Sequence, residues 1–151
     1  MQANRKFKVS GKQTCAYNKL ERSAVGDIDG HMVSFMVSEG VNVSTGKKSF
    51  FNGSPLVSVI TSDIVYFDGA FQGYTKFTNK GDSLFSRFEG KITNTLSAEG
   101  NHVQSMEGTF RFIQGGGRYE NIKGSGTFRG RYLTRILYVN EWEGEYWIEK
   151  V

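Results

Sequence analysis

The stretch from Ile113 to Phe128 reads Ile-Gln-Gly-Gly-Gly-Arg-Tyr-Glu-Asn-Ile-Lys-Gly-Ser-Gly-Thr-Phe, and it restricts the fold more than any other part of the chain. It has the form of a strand, a glycine turn, a short irregular knuckle, glycine, and a strand again. Glycine gathers where the backbone takes positive φ or where another group comes close. Short aromatic strands punctuated by glycine recur along the whole chain. Twelve Phe, seven Tyr and two Trp suit strands, and nineteen Gly with one proline, Pro55, suit many tight turns. No window sustains a 3.6-residue period, so long helices are not expected.

Strand signals follow one another at intervals of roughly 10 to 20 residues, with no helical insertions. The expected strands are Phe7–Leu20 (one or two), His31–Val37, a short Val41–Ser44, Leu56–Phe67 interrupted at Thr61-Ser62-Asp63, Ala70–Thr78, Ser83–Thr93, Val103–Gln114, Gly124–Leu133, Leu137–Asn140 and Gly144–Glu149. Turns are expected at Val25–Gly30, Ser38–Gly40, Phe51–Pro55, Asp68-Gly69, Asn79–Asp82 and Glu99–Asn101. Such a pattern predicts an all-β fold, a single closed antiparallel β-barrel of about eight strands, because closure removes exposed sheet edges. The 151 residues make one domain, 1–151. A chain of this length buries roughly 68–70% of its unfolded surface.

Alternation orients the strands. Phe71, Gly73, Thr75 and Phe77 share a face, as do Met106, Gly108, Phe110 and Phe112, and Gly126, Phe128, Gly130 and Tyr132. These glycine-and-aromatic faces are expected inside, with the arginine faces outside. Leu84, Ser86, Phe88, Gly90 and Ile92 form a further inner set, which leaves Phe85, Tyr74 and Ile113 as large groups on outer faces. The inner phenylalanines Phe71, Phe77, Phe88, Phe110, Phe112 and Phe128 are the candidate walls of a cavity for a small hydrophobic molecule, with Tyr17 a further lining candidate. A one-residue register error would instead bring Tyr17, Glu21, Tyr74, Arg87, Glu89 and Arg111 inward.

Other chemistries find little support. The net charge of +4 is spread along the chain among acidic residues, without the clustering of a nucleic-acid footprint. The most basic run, Phe128–Arg135, reads as the solvated side of a strand. No apolar run approaches the ~20 residues of a membrane helix. The N-terminal Met1–Val9 has no apolar leader segment, and with the lone Cys15 this suggests a cytoplasmic protein. Cys15 reads as a buried, inert thiol. Asn42-Val-Ser44 and Asn52-Gly-Ser54 match the glycosylation sequon but read as turn chemistry. Two histidines and one cysteine cannot build a His₃ or Cys₄ zinc site. Asp27, Asp29 and His31, at spacing two, could contact an ion but read as turn-shaping residues. No nucleophile elbow, phosphate loop or dinucleotide fingerprint is present, so neither a metal nor a cofactor is expected.

The Ile113–Phe128 segment resembles the Gly-Gly-x-Gly-x-aromatic segment of the allene oxide cyclase barrel-like superfamily, which is calycin-like in outline. Gly69–Phe77 and Phe88–Ile92 resemble the family's middle hairpins, and the resemblance spans about Thr14 to Ile148. It implies an eight-stranded antiparallel barrel and a homo-oligomer, dimer or trimer. In the plant cyclases of this superfamily a glutamate near the end of the first strand assists ring closure. Tyr17-Asn-Lys-Leu-Glu21-Arg22 is the nearest match, so the resemblance implies Glu21 as a catalytic carboxylate, although the proline that follows in the plant enzymes is missing here. Three readings stay open: a barrel that binds a small hydrophobic molecule, a cofactor-independent isomerase or cyclase, and a non-catalytic oligomeric structural barrel.

Overall fold

A computed structural model describes residues 4–150; Met1–Ala3, the start of the segment read above for a leader, and Val151 lie outside the described residues. Eight strands follow in order: β1 (Phe7–Ala24), β2 (His31–Ser44), β3 (Ser54–Val65), β4 (Asp68–Asn79), β5 (Asp82–Leu96), β6 (His102–Gly116), β7 (Ile122–Tyr132) and β8 (Leu137–Ile148). Each pairs antiparallel with its sequence neighbour, and β1 pairs with β8, closing the barrel. The only helical turn among the described residues is 3₁₀, at Gly117–Tyr119, inside the glycine knuckle.

Three expected breaks are absent and one turn is displaced. Leu137–Asn140 and Gly144–Glu149, expected as separate strands, are one strand, β8. Ser38–Gly40 is not a turn but the middle of β2, where Gly40 lies so close to Thr14 O and Cys15 Sγ of β1 that a Cβ would collide with both. Thr61-Ser62-Asp63 continues β3 without interruption, because Ser62 faces inward between two outward polar residues and so keeps the period of two. Asp68-Gly69 begins β4, and the hairpin instead turns on Tyr66 and Phe67, at φ of 49° and 72°. Bulky side chains rarely adopt such a conformation.

The inner lattice rests on reciprocal pairs of phenylalanine and glycine. Across β4 and β5, Phe71 stands opposite Gly90 and Phe88 opposite Gly73; across β6 and β7, Phe128 stands opposite Gly108 and Phe110 opposite Gly126. Each ring tip occupies the volume a glycine Cβ would need, at 2.5–2.8 Å from its position. Glycine thus serves here as the floor on which a cross-strand ring lies. The outer face of β5–β8 carries charges in alternating rows, with Lys91, Glu107, Arg129 and Glu141 consecutive across the strands. Tyr74, Phe85 and Ile113 lie outside, as their parity predicts.

The β2–β3 hairpin reverses that arrangement. Its inner positions include Ser34, Ser38, Asn42, Ser54, Ser58 and Ser62, all buried. Its outer positions include Val33, Phe35, Val37, Val41, Val43, Pro55, Val57 and Val59.

Candidate functional site in the barrel interior

One end of the barrel is plugged. The loop after β2 sends Phe50 and Phe51 into the lumen, where they are 1% and 4% exposed and pack on Phe77, Phe112, Tyr119, Trp142 and Tyr146. Asn42 holds this loop down. Its Nδ2 donates to the carbonyls of Phe50 (3.3 Å) and Phe51 (3.0 Å), and its Oδ1 accepts from Trp142 Nε1 (2.8 Å). Asn42 is therefore a buried scaffold residue, and the turn reading of its sequon is corrected. Asn52 does act locally, accepting from Ser44 N. Asp82 secures the adjacent knuckle by accepting from the backbone and Nε of Arg118, and that guanidinium holds the Asp82 carboxyl below its usual range.

Burial falls away toward the other end. The inward positions there include Leu20 and Arg22, both exposed, and the surrounding loops present Val25, Ile28, Tyr66, Phe67, Leu96, Leu133 and Ile136 to solvent. This end is the mouth, and its rim is apolar. The rim also carries a polar cluster. His31 is hydrogen-bonded to Asp27 through Nδ1 (2.7 Å) and to Asp63 through Nε2 (2.5 Å). Carboxylates on both ring nitrogens select the protonated imidazole. They raise the His31 pKa, Asp27 contributing most and Asp63 next. Among the described residues no group of three or more His, Cys, Asp or Glu side chains is placed to hold a metal.

Between plug and mouth lies a cavity of about 60 Å³. Its lining includes Tyr17, Phe71, Phe77, Phe88, Phe110, Phe112 and Phe128, which brings every expected wall residue together. The rings of Phe71, Phe88 and Phe128 meet with centroids 6.0–6.1 Å apart. Hydroxyl side chains share the interior with these rings, and Thr75 and Ser86 face inward as the alternation of β4 and β5 predicts. Ser38, Ser58, Thr75 and Ser86 stand consecutively across β2, β3, β4 and β5, all inward and all buried. Ser58 and Thr75 share a hydrogen bond of 2.7 Å, and Ser38 shares one of 2.7 Å with Tyr138. Of these, Ser58, Thr75 and Ser86 line the cavity beside the phenylalanines. Gln13 and Asn140, cross-strand partners on β1 and β8, complete the polar lining. Asn140 Oδ1 is buried without a hydrogen-bond partner, an acceptor left open.

The cavity lining holds no charged side chain. Tyr17 and Tyr132 share a hydrogen bond of 2.5 Å, and burial is the first cause raising the pKa of both phenols and of Tyr138. Burial likewise pushes the Cys15 thiol up to about 11. These groups stay neutral at physiological pH.

Glu21 is not among the lining residues. A β-bulge between Tyr17 and Lys19 inserts one residue and reverses the parity of β1 beyond it. Cys15 and Tyr17 point inward, but past the bulge Leu20 and Arg22 take the inner side and Glu21 turns outward opposite Phe35. Its carboxylate stands 3.6 Å from Lys19 Nζ and is 67% exposed. The expectation of an inward Glu21 is corrected on this ground. Arg87, Glu89 and Arg111 also lie outside.

No protein-family model matches the chain, and no curated protein matches it. No helix among the described residues is long and apolar enough to cross a membrane.

Proposed function

We infer that the barrel binds a small, neutral, largely apolar molecule bearing one hydrogen-bond donor. The observation that carries this reading is the lining of the cavity, where phenylalanine rings and the hydroxyls of Ser58, Thr75 and Ser86 meet with no charged side chain among them. A carboxylate or ammonium ligand would be buried there without a counter-charge, at a cost of several kcal/mol. The open acceptor on Asn140 asks for an O–H or N–H group. At about 60 Å³ the space is smaller than the ~150 Å³ that accommodates benzene. Met36 and Met106 line it, and their unbranched chains are the side chains best able to yield to a larger guest. Entry is from the apolar rim, since Phe50 and Phe51 close the other end. The resemblance to allene oxide cyclase-like barrels agrees with an internal ligand. A cyclase of that design would need a carboxylate beside its substrate, and none lines this cavity, so binding is the reading proposed.

The test is a titration with phenol and indole against benzoate, followed by methyl and aromatic NMR shifts and by thermal stability. Phenol or indole should shift the resonances of Met36, Met106 and the phenylalanines and raise Tm, and Asn140→Leu should weaken that binding. No response to either neutral compound, or an equal response to benzoate, would overturn the reading.

A further inference from the structure

We propose that the outer face of β2, β3 and β4 is the interface of a two-fold symmetric homodimer. This surface is separate from the cavity, and the proposal does not depend on what the cavity binds.

The inverted hairpin is the first ground. A one-sided antiparallel sheet places its apolar residues on the core face and its polar residues toward water. On β2 and β3 the inner face mixes serines with Met36, Leu56 and Ile60, while the valines all face outward, so this outer surface has the composition of a covered face. The neighbouring outer faces of β5–β8 are charged, as solvent requires. The apolar strip continues onto β4 through Tyr74, which lies directly across from Val59.

The register supplies the second ground and identifies the occupant. Glu39, Val57 and Lys76 stand side by side on β2, β3 and β4, so Val57 has an acid on one side and a base on the other. Among the described residues neither Glu39 nor Lys76 has an opposite charge within 4.0 Å. A two-fold axis running along β3 exchanges left and right. It sets Val57 against the partner's Val57, Glu39 against the partner's Lys76, and Lys76 against the partner's Glu39. In the next outward row the same operation sets Val59 on the partner's Val59 and Val37 on the partner's Tyr74. The patch is thus complementary to itself, which is the requirement of an isologous contact. Lys19 and Arg87, the like charges farther out, are each neutralised on their own chain, by Glu21 and Glu89. Three strands at ~4.8 Å spacing make a narrow strip, so the dimer belongs to the smaller interfaces and dissociates on dilution.

Sedimentation velocity on the full chain, from about one to a few hundred micromolar, tests this. The expected result is a monomer–dimer equilibrium. Val59→Lys should leave a monomer with unchanged far-UV circular dichroism, because Val59 is exposed on the outer face of β3. Glu39→Lys alone and Lys76→Glu alone should each weaken the dimer roughly tenfold, and the double swap should recover most of that loss. The recovery cannot come from a folding defect. A chain that stays monomeric throughout, a trimer, or a dimer indifferent to Val59→Lys and to both charge reversals would overturn the proposal.

Discussion

Trp142 on β8 reaches Asn42 on β2 across the intervening strand, and Gly11 of β1 is what lets them meet. A Cβ at Gly11 would lie 2.6 Å from both Asn42 Oδ1 and Trp142 Nε1. The hydrogen bond between them, at 2.8 Å, fixes the amide so that its other end can hold the Phe50 and Phe51 carbonyls. Gly11→Ala should therefore act on the plug without touching it. Asn42→Ala strips partners from two carbonyls and an indole N–H, a loss on the order of 3 kcal/mol. At this chain length that lowers Tm by roughly 10 °C, readable by calorimetry, and Gly11→Ala should fall in the same direction.

Acid should loosen the same end by a different route. The Asp82 carboxyl is held low by Arg118, so its contribution is present above the unfolded aspartate pKa of ~3.9 and is lost as pH falls through the folded value. Hydrogen exchange at the knuckle amides, Arg118 N above all, should speed up as the solution is acidified. Asp82→Asn should show the fast exchange already at neutral pH.

The mouth responds to pH in the opposite sense. His31 has a raised folded pKa, so its stabilising effect is complete below ~6.5 and fades as pH rises through the folded value. The Asp27 carboxyl, lowered chiefly by His31, sets the acid side, where the effect fades as pH falls through its folded value. Melting temperature should decline on the alkaline side of this window and His31→Asn should flatten the decline. An NMR titration of His31 giving a pKa at or below the free value would contradict the bridged geometry.

Cys15 offers a readout of barrel opening. The residue is 1% exposed, and a thiol pKa pushed up to about 11 by burial leaves little thiolate at pH 8. Thiol reagents should label the native protein only as fast as β1 and β2 part, with a rate that climbs with denaturant. Prompt stoichiometric labelling in native buffer would mean that this wall opens locally.

The alternation of Phe71, Phe77, Phe88, Phe110, Phe112 and Phe128 was legible in the sequence because β4–β7 keep a period of two through the waist of the barrel. Glu21 was misplaced because nothing in Tyr-Asn-Lys-Leu-Glu announces a bulge, and one inserted residue exchanges the two faces. The Tyr66-Phe67 turn was hidden by Asp68-Gly69, the commoner turn pair. Phe50 and Phe51 fold inward from a loop, where no periodicity reports direction. Thr75 and Ser86 follow from the alternation of β4 and β5, but Ser38 and Ser58 do not, because serine on a strand ordinarily signals the wet side.

The pairing of Phe7 with Tyr146 joins the first strand to the last and closes the barrel. On the ribosome β1 emerges early yet cannot gain its second neighbour until β8 has been made. For most of synthesis its free edge is a template for another chain. Contacts of such long sequence separation slow the search for the native pairing, into the millisecond-to-second range for barrels of this kind. The seam between β1 and β8 is therefore where refolding should finish, and where aggregation during refolding should begin.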